Sequence, residues 1–340
     1  MTPGLVTPSP TDVLVSVVIP AFDAEAWIDE TIRSVRAQTH SALEIIIVDD
    51  GSRDATVELA RRHAAADPRI RIIEQANAGV AAARNTGWRS ASADLIAFVD
   101  ADDLWAVTKI ERQVEALDRA GPEAGLAYCW YLSIDADSNV TGRDECPRFE
   151  GQVFEQLLRG NFVGNGSSAL VTREALVHAN GFEPALRNQG AQGCEDILFY
   201  CRVAERYRFA LVPEALLGYR RLPDAMSGNM PRMLRSWMLV IDELSVRHPD
   251  KRGLMEQGFS TYAHYVFRRA ILSRRISQLG PIIGLLSRRR PAIMARLLLR
   301  SLPSVAMEIA SELLRRVARG RRPGIPSRTR PRFEIGELVS

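Results

Sequence analysis

Ile45-Ile46-Ile47-Val48-Asp49-Asp50-Gly51-Ser52 and, about fifty residues on, Leu95-Ile96-Ala97-Phe98-Val99-Asp100-Ala101-Asp102-Asp103 decide the reading of this chain. Both runs are short, rich in β-branched residues and apolar on both faces, as strands inside a covered parallel sheet are. Each ends in carboxylates that folding alone does not call for. Ligands of open α/β sheets collect at the carboxyl ends of strands. Two acidic tips on neighbouring strands repel each other unless a cation or a set of donors neutralises them. Oxygen ligands of this kind suit a hard divalent cation, so Mg²⁺ or Mn²⁺ bridging phosphates is the expectation.

Outward from these runs, apolar strand candidates alternate with amphipathic helix candidates over residues 14 to 103. The order is Leu14 to Pro20, Ala24 to Gln38, Leu43 to Val48, Asp54 to Ala66, Ile70 to Glu74, Val80 to Ser90 and Asp94 to Asp100, a βαβ series. In the first helix Ile28, Ile32 and Val35 form a buried stripe, with Asp29, Glu30, Arg33 and Arg36 mostly off it. Ser52 or Asp54 caps the second helix. Gly51 and Gly79 give the main chain the freedom to approach a nucleotide closely. A helix from about Val107 to Ala120, a Gly121-Pro122 break and a strand from Leu126 to Tyr131 follow, and the polar stretch Ser133 to Glu150 reads as a loop. A second block of signals runs from Phe162 to Ser227, where Glu195-Asp196 opens a helix over Ile197 to Tyr207.

The 340 residues, 46% hydrophobic and 25% charged, suffice for one large domain and an extension. Cys129, Cys146, Cys194 and Cys201 have neither disulfide-framework nor metal-ligand spacing and read as reduced thiols. The first eleven residues have no Lys or Arg and three prolines, unlike a secretory signal, so a cytoplasmic location is expected. The net charge of +3 conceals an asymmetry: residues 1–227 carry about −11 and residues 228–340 about +14. The basic part reads as helices cut into short pieces by Pro281, Pro291 and Pro303. Its longest uncharged stretch, Ile276 to Ser287, is too short to span a bilayer, which needs roughly 20 residues. Val305, Ile309, Leu313 and Val317 share one helical face opposite Glu308, Glu312, Arg315, Arg316 and Arg319. Such a helix either lies on an anionic membrane surface or packs on the catalytic part.

The ordered set Val17-Val18-Ile19-Pro20-Ala21-Phe22, Val48-Asp49-Asp50-Gly51-Ser52, Asn77-Ala78-Gly79, Ala83-Arg84-Asn85-Thr86-Gly87, Asp100-Ala101-Asp102-Asp103 and Glu195-Asp196 resembles the family 2 glycosyltransferases, inverting enzymes of GT-A fold. The resemblance implies an α/β domain with a Rossmann-like, mixed, mostly parallel sheet covered by helices over 14–227. Its nucleotide-binding half would be 14–103 and its acceptor half 104–227, between a flexible segment 1–13 and a basic helical extension 228–340. It further implies that Pro20, Ala21 and Phe22 border a nucleobase, that Asp50 hydrogen-bonds it, and that Glu25 orders the pocket. Gly79 belongs to the donor site, Asp100 lies near the ribose, Asp102 holds the metal and Arg84 faces the diphosphate. Asp196 takes the place of the general base, with Glu195 in support. Where many relatives have a His after Tyr219-Arg220-Arg221, this chain has Leu222, so Arg220 or Arg221 is a candidate to balance the diphosphate.

Each motif has a bland alternative. Asp49-Asp50-Gly51-Ser52 alone is a turn and cap; Asp100 to Asp103 can cap the next helix; Glu195-Asp196 can be dipole partners of a helix N-terminus. Arg84 can be a solvated charge, and Trp105 an acceptor-pocket wall or a core residue. His40, His63, His178, His248 and His264 have no ligand spacing. The resulting expectation is a metal-dependent transferase moving a sugar from a nucleotide diphosphate donor, by family a UDP-sugar, to a saccharide or lipid-linked glycan in cell-envelope or exopolysaccharide assembly. It would act in the cytoplasm at the inner face of the membrane. The rival is a non-catalytic sugar-nucleotide sensor. Nucleic acid is not an expected partner, because the basic segments lack interleaved aromatics.

Overall fold

The computed structural model describes residues 13–143, 146–222, 226–273, 275–299 and 331–335. Four parallel strands come first: β1 (Val15–Ala21), β2 (Leu43–Asp49), β3 (Ile70–Glu74) and β4 (Leu95–Phe98). The helices between them are α1 (Ile28–Arg36), α2 (Thr56–Ala66) and α3 (Val80–Ser90). The apolar runs are continuous because the sheet is covered twice. Val17, Ile19, Ile45 and Ile47 pack with Ile28, Ile32 and Val35 of α1, whereas Val18, Ile46, Val48 and Phe98 face the opposite core.

The sheet order β3-β2-β1-β4 reverses direction beside β1, which places β1 and β4 next to each other at a topological switch point. Register pairs Ala21 with Asp49 and Val18 with Phe98, so both acidic tips leave the same edge of the sheet. The sheet continues through β5 (Leu104–Trp105), β6 (Ala124–Ile134), β7 (Val140–Arg143), β8 (Ala169–Thr172) and β9 (Arg208–Arg220). Here β4–β8, β6–β8, β6–β7 and β5–β9 are antiparallel and β6–β9 is parallel. Helices α4 (Lys109–Ala120), α5 (Phe154–Arg159), α6 (Arg173–His178), α7 (Ala185–Asn188) and α8 (Glu195–Ala204) complete this part.

Three local readings change. Ser133–Glu150 is not all loop, because β6 extends to Ile134 and turns into β7. Asp135 accepts hydrogen bonds from the Asp137 and Asn139 N–H groups at 3.1 and 2.9 Å and closes that turn. Asp54, not Ser52, serves the start of α2, accepting from the Thr56 N–H, while the Ser52 hydroxyl accepts from the Asp23 N–H. Trp105 is core: fully buried, it donates its indole N–H to the Ser167 carbonyl, with the buried Lys109 ammonium 4.0 Å from its ring centroid.

The basic part is less fragmented than its prolines suggest. It forms α9 (Met230–Arg247), α10 (Arg252–Leu272), α11 (Leu279–Arg289) and α12 (residues 291–299). Pro281 lies in the first turn of α11 and Pro291 opens α12, positions where the missing N–H costs nothing. Leu234, Trp237, Ile241, Phe259 and Phe267 share one core with the α3–α8 face of the sheet, so no structural break falls at 227. Helices α5 and α10 approach so closely at Gly258 that a Cβ there would lie 2.5 Å from the Leu158 carbonyl oxygen. The amphipathic segment Val305 to Arg319, together with Pro303, lies outside the described residues. Among the described residues no helix is long and apolar enough to cross a membrane.

Candidate active site

A cleft of about 1080 Å³ opens beyond the carboxyl ends of β1, β2 and β4. Pro20, Ala21, Phe22, Asp50, Gly79, Arg84, Asp100, Asp102 and Asp196 all line it. Glu25 does not. Its carboxylate accepts from the Ala55 N–H at 2.9 Å and its own N–H donates to Asp54, which ties the loop after β1 to the start of α2.

At the β2 tip the two neighbouring aspartates divide the work. Asp49 accepts the Gly51 and Ser52 N–H groups and shapes the turn, which is the bland role. Asp50 is buried at the cleft wall, taking the Gln75 amide and the Ala78 N–H at 2.8 Å each and the Gly79 N–H at 2.7 Å. A carboxylate has about four acceptor positions, so these three bonds fix Asp50 and leave one position for a ligand. Gly79 has φ +92°, and a Cβ there would meet Arg187 Cδ at 2.9 Å. Arg187, which bonds Asn77, thus lies across this glycine at the cleft edge. Gln75, Asn77 and Arg187 went unread in the sequence; only the Asn77-Ala78-Gly79 signal pointed toward them.

Arg84 is not a surface charge. It is 3% exposed, its guanidinium reaches Asp100 Oδ1 at 2.5 Å and lies 5.1 Å from the Phe182 ring centroid, and its Nε has no partner among the described residues. A Cβ on Gly166 would sit 2.2 Å from its Nη2, so that glycine makes room for it. Burial works against its charge, but Asp100, Glu195 and Asp196 outweigh burial and hold the proton more tightly than usual.

The acidic run after β4 also separates by role. Asp103 is wholly buried, accepting from the Ser167 hydroxyl at 2.6 Å and the Arg220 N–H at 2.9 Å. Thr31 of α1 donates to the Ala101 and Asp103 carbonyls and holds the loop. Asp102 faces the cleft, where burial and the neighbouring Asp100 push its carboxyl up to about 6. Among the described residues no three His, Cys, Asp or Glu side chains converge as a complete metal cage. Two carboxylates on one loop instead fit a cation that draws its other ligands from phosphates and water, as Mg²⁺ commonly does.

Asp196 stands at the start of α8, half-buried, with the Asn161 amide donating to Oδ2 at 3.1 Å. Burial and the adjacent Glu195, only partly offset by Arg84, raise its carboxyl to about 7. Glu195 itself is turned to the glycine loop, accepting the Gly193 N–H at 2.6 Å. Of the two candidate diphosphate arginines, Arg220 is spent on the fold. It is buried and donates to the carbonyls of Asp102, Asp135 and Ala136 and to Glu30. Arg221 remains at the cleft, its guanidinium 4.6 Å from the Tyr219 ring centroid.

The far wall comes from the basic helices. Trp237 of α9 stacks on Tyr262 of α10 with centroids 5.2 Å apart, and Tyr265 continues the row, half exposed. The charges of Asp196 and Tyr262 sense each other, which places this aromatic shelf beside the carboxylate. Read only as a basic extension, the segment gave no sign of it.

Sheet order, switch-point cleft and acidic tips define a nucleotide-type α/β fold of the GT-A kind. In structure the chain is similar to S. aureus TarS 1-349 (TM-score 0.58, 15% identity, covering 86% of this chain and 89% of that one). It is also similar to the mannosyltransferase PcManGT from Pyrobaculum calidifontis, solved with GDP-Man and Mn²⁺ (TM-score 0.52, 19% identity, 87% and 89%). Residues 16–178 match the family model "Glycosyl transferase family 2". Through that segment the chain belongs to glycosyl transferase family 2. The uncharacterized glycosyltransferase EpsJ of Bacillus subtilis is 33% identical over 224 residues, 63% of each chain. The putative teichuronic acid biosynthesis glycosyltransferase TuaG of the same organism is 40% identical over 103 residues, 30% of this chain and 41% of that one. The match thus spans less than two thirds of these relatives' length.

Proposed function

We propose that the cleft binds a nucleotide diphosphate sugar and that the chain transfers the sugar to an acceptor hydroxyl with inversion. The observation that carries this is the meeting of Asp50, Asp102, Arg84 and Asp196 in one cleft. Pro20, Ala21 and Phe22 border the base, the remaining acceptor position of Asp50 takes an N–H of the base edge, and Asp100 stands near the ribose. A uracil base fits this donor pattern, as does the UDP-GlcNAc named with TarS. Arg84 and Arg221 supply positive charge toward the diphosphate. Asp102, with Asp100, would hold a Mg²⁺ or Mn²⁺ ion, which when bound stabilises charge on the leaving group.

In the transfer step the acceptor oxygen attacks the anomeric carbon from the face opposite the diphosphate. Its proton passes to Asp196, the bond from the anomeric carbon to the diphosphate oxygen breaks, and nucleoside diphosphate leaves with that electron pair. A carboxyl that titrates near neutrality suits this base. The names of the relatives, EpsJ and TuaG, support polysaccharide assembly as the setting.

Two expected results test this reading. Chelation by EDTA, or Asp102→Asn, lowers turnover at least about 100-fold if the ion supplies several kcal/mol to the leaving group, with Mn²⁺ restoring the chelated wild type; full activity in chelator would remove Asp102 from its role. Tyr262→Ala raises the acceptor KM by roughly 10-fold, in line with about 0.5–1.5 kcal/mol for an aromatic contact beyond its buried area. Slow hydrolysis of donor by water stays unchanged. A change in donor hydrolysis instead of acceptor KM would move the shelf to the donor side.

A further inference from the structure

A second groove lies where the first turns of α9 meet α11, about 670 Å³ in volume. Its cations are Arg232 and Arg235 from α9 and Arg288 and Arg289 from α11, and no carboxylate lines it. Among the described residues Arg235, Arg288 and Arg289 form no ion pair, and Arg232 reaches only the neutral Gln192 amide oxygen at 3.0 Å. Helix physics accounts for half of this set. Arg288 and Arg289 occupy the last turn of α11, where the dipole favours cations. Arg232 has the opposite setting: it sits in the first turn of α9, an already positive helix end with no acidic residue there. Four like charges on one concave wall therefore lack an anion.

Two further features narrow what that anion is. Pro231, Pro281 and Leu285 give the groove an apolar floor beside the cations, so its chemistry is that of an anionic head on an apolar chain. Gly190 and Arg232 line both this groove and the catalytic cleft, and the Arg235 guanidinium comes within 3.7 Å of where a Gly190 Cβ would stand. An acceptor extended along that shared wall would place its reacting hydroxyl toward Asp196 and its anchor among the arginines.

We propose that this groove holds the phosphate or diphosphate of the acceptor's carrier, and that the carrier is a prenyl-type lipid. The proposal rests on the transferase reading above and names its acceptor class. It gives the charge of the C-terminal helices a function at the described residues: to seat a phosphate while the saccharide crosses the aromatic shelf.

The test is binding of farnesyl phosphate and of inorganic phosphate to the full chain by calorimetry, using wild type, Arg235→Gln/Arg289→Gln, and Arg84→Gln as a control in the donor site. Farnesyl phosphate is expected to bind at least about 10-fold more tightly than inorganic phosphate, with affinity lost in the double variant and kept in Arg84→Gln. Equal binding of the two probes, both lost in the double variant, would replace the lipid with a soluble phosphate-bearing acceptor and overturn the prenyl assignment. Binding unchanged in the double variant, or absent in wild type, would overturn the site altogether. Binding lost only in Arg84→Gln would place the phosphate in the donor site. Nucleotide-sugar binding measured on the same proteins keeps the two readings apart, since the double variant is expected to retain it.

Discussion

Asp196→Asn is expected to lower turnover by roughly 10²–10⁴-fold, the usual contribution of a positioned base, while donor affinity changes less than about 2-fold. The amide keeps the shape and accepts the Asn161 hydrogen bond through oxygen, but it cannot take a proton. The wild-type pH profile should report the same group: kcat/KM rises about tenfold per pH unit up to about 7 and then levels, as the carboxyl ionises. In the variant that limb disappears. A sensor without catalysis would show no turnover to lose, and a variant with normal turnover would return Glu195-Asp196 to the role of helix-dipole partners.

The same carboxyl has a sign-definite effect on stability. Its folded pKa, about 7, lies above the ordinary 3.8, so the folded state binds this proton more tightly than the unfolded chain does. Stability from this group is fully present below 3.8, falls as pH rises through that window and is lost above 7. Asp196→Asn removes the ionisation and should raise Tm at pH 8, by about 2–4 °C for each kcal/mol recovered. Stabilisation together with inactivity marks a group kept for chemistry rather than for folding.

Arg220→Met carries the second large effect, on the fold. It leaves Glu30 short of one cation and the Asp102, Asp135 and Ala136 carbonyls without their donor. Removing one member of a buried charged network costs about 3–5 kcal/mol, read as a lower midpoint in urea with unchanged slope. An unchanged midpoint with lost donor binding would give Arg220 back to the diphosphate.

Much of this was legible because local pattern and tertiary role coincide. Residues 43–49 and 95–98 are buried on both faces, so their composition states their place in the sheet, and the acidic residues that end them have no other use. Arg220 was not legible in that way. Its partners lie at 30, 102 and 135–136, and nothing near Tyr219-Arg220-Arg221 tells a buried tie from a ligand arginine. Trp105 failed as an acceptor residue for the converse reason: the core that takes it up is assembled from Ser167 and Lys109, distant in the chain. Trp237, Tyr262 and Tyr265 look like ordinary apolar positions of basic helices until α9 and α10 pack beside Asp196.

The central claim is that one cleft binds a nucleotide diphosphate sugar through Asp50. Calorimetric titration of a panel of nucleoside diphosphate sugars with Mn²⁺ present, against wild type and Asp50→Asn, tests it most directly. The account predicts saturable 1:1 binding of at least one donor, weakened about 10-fold or more in Asp50→Asn. No binding across the panel, or binding that Asp50→Asn leaves intact, would contradict it.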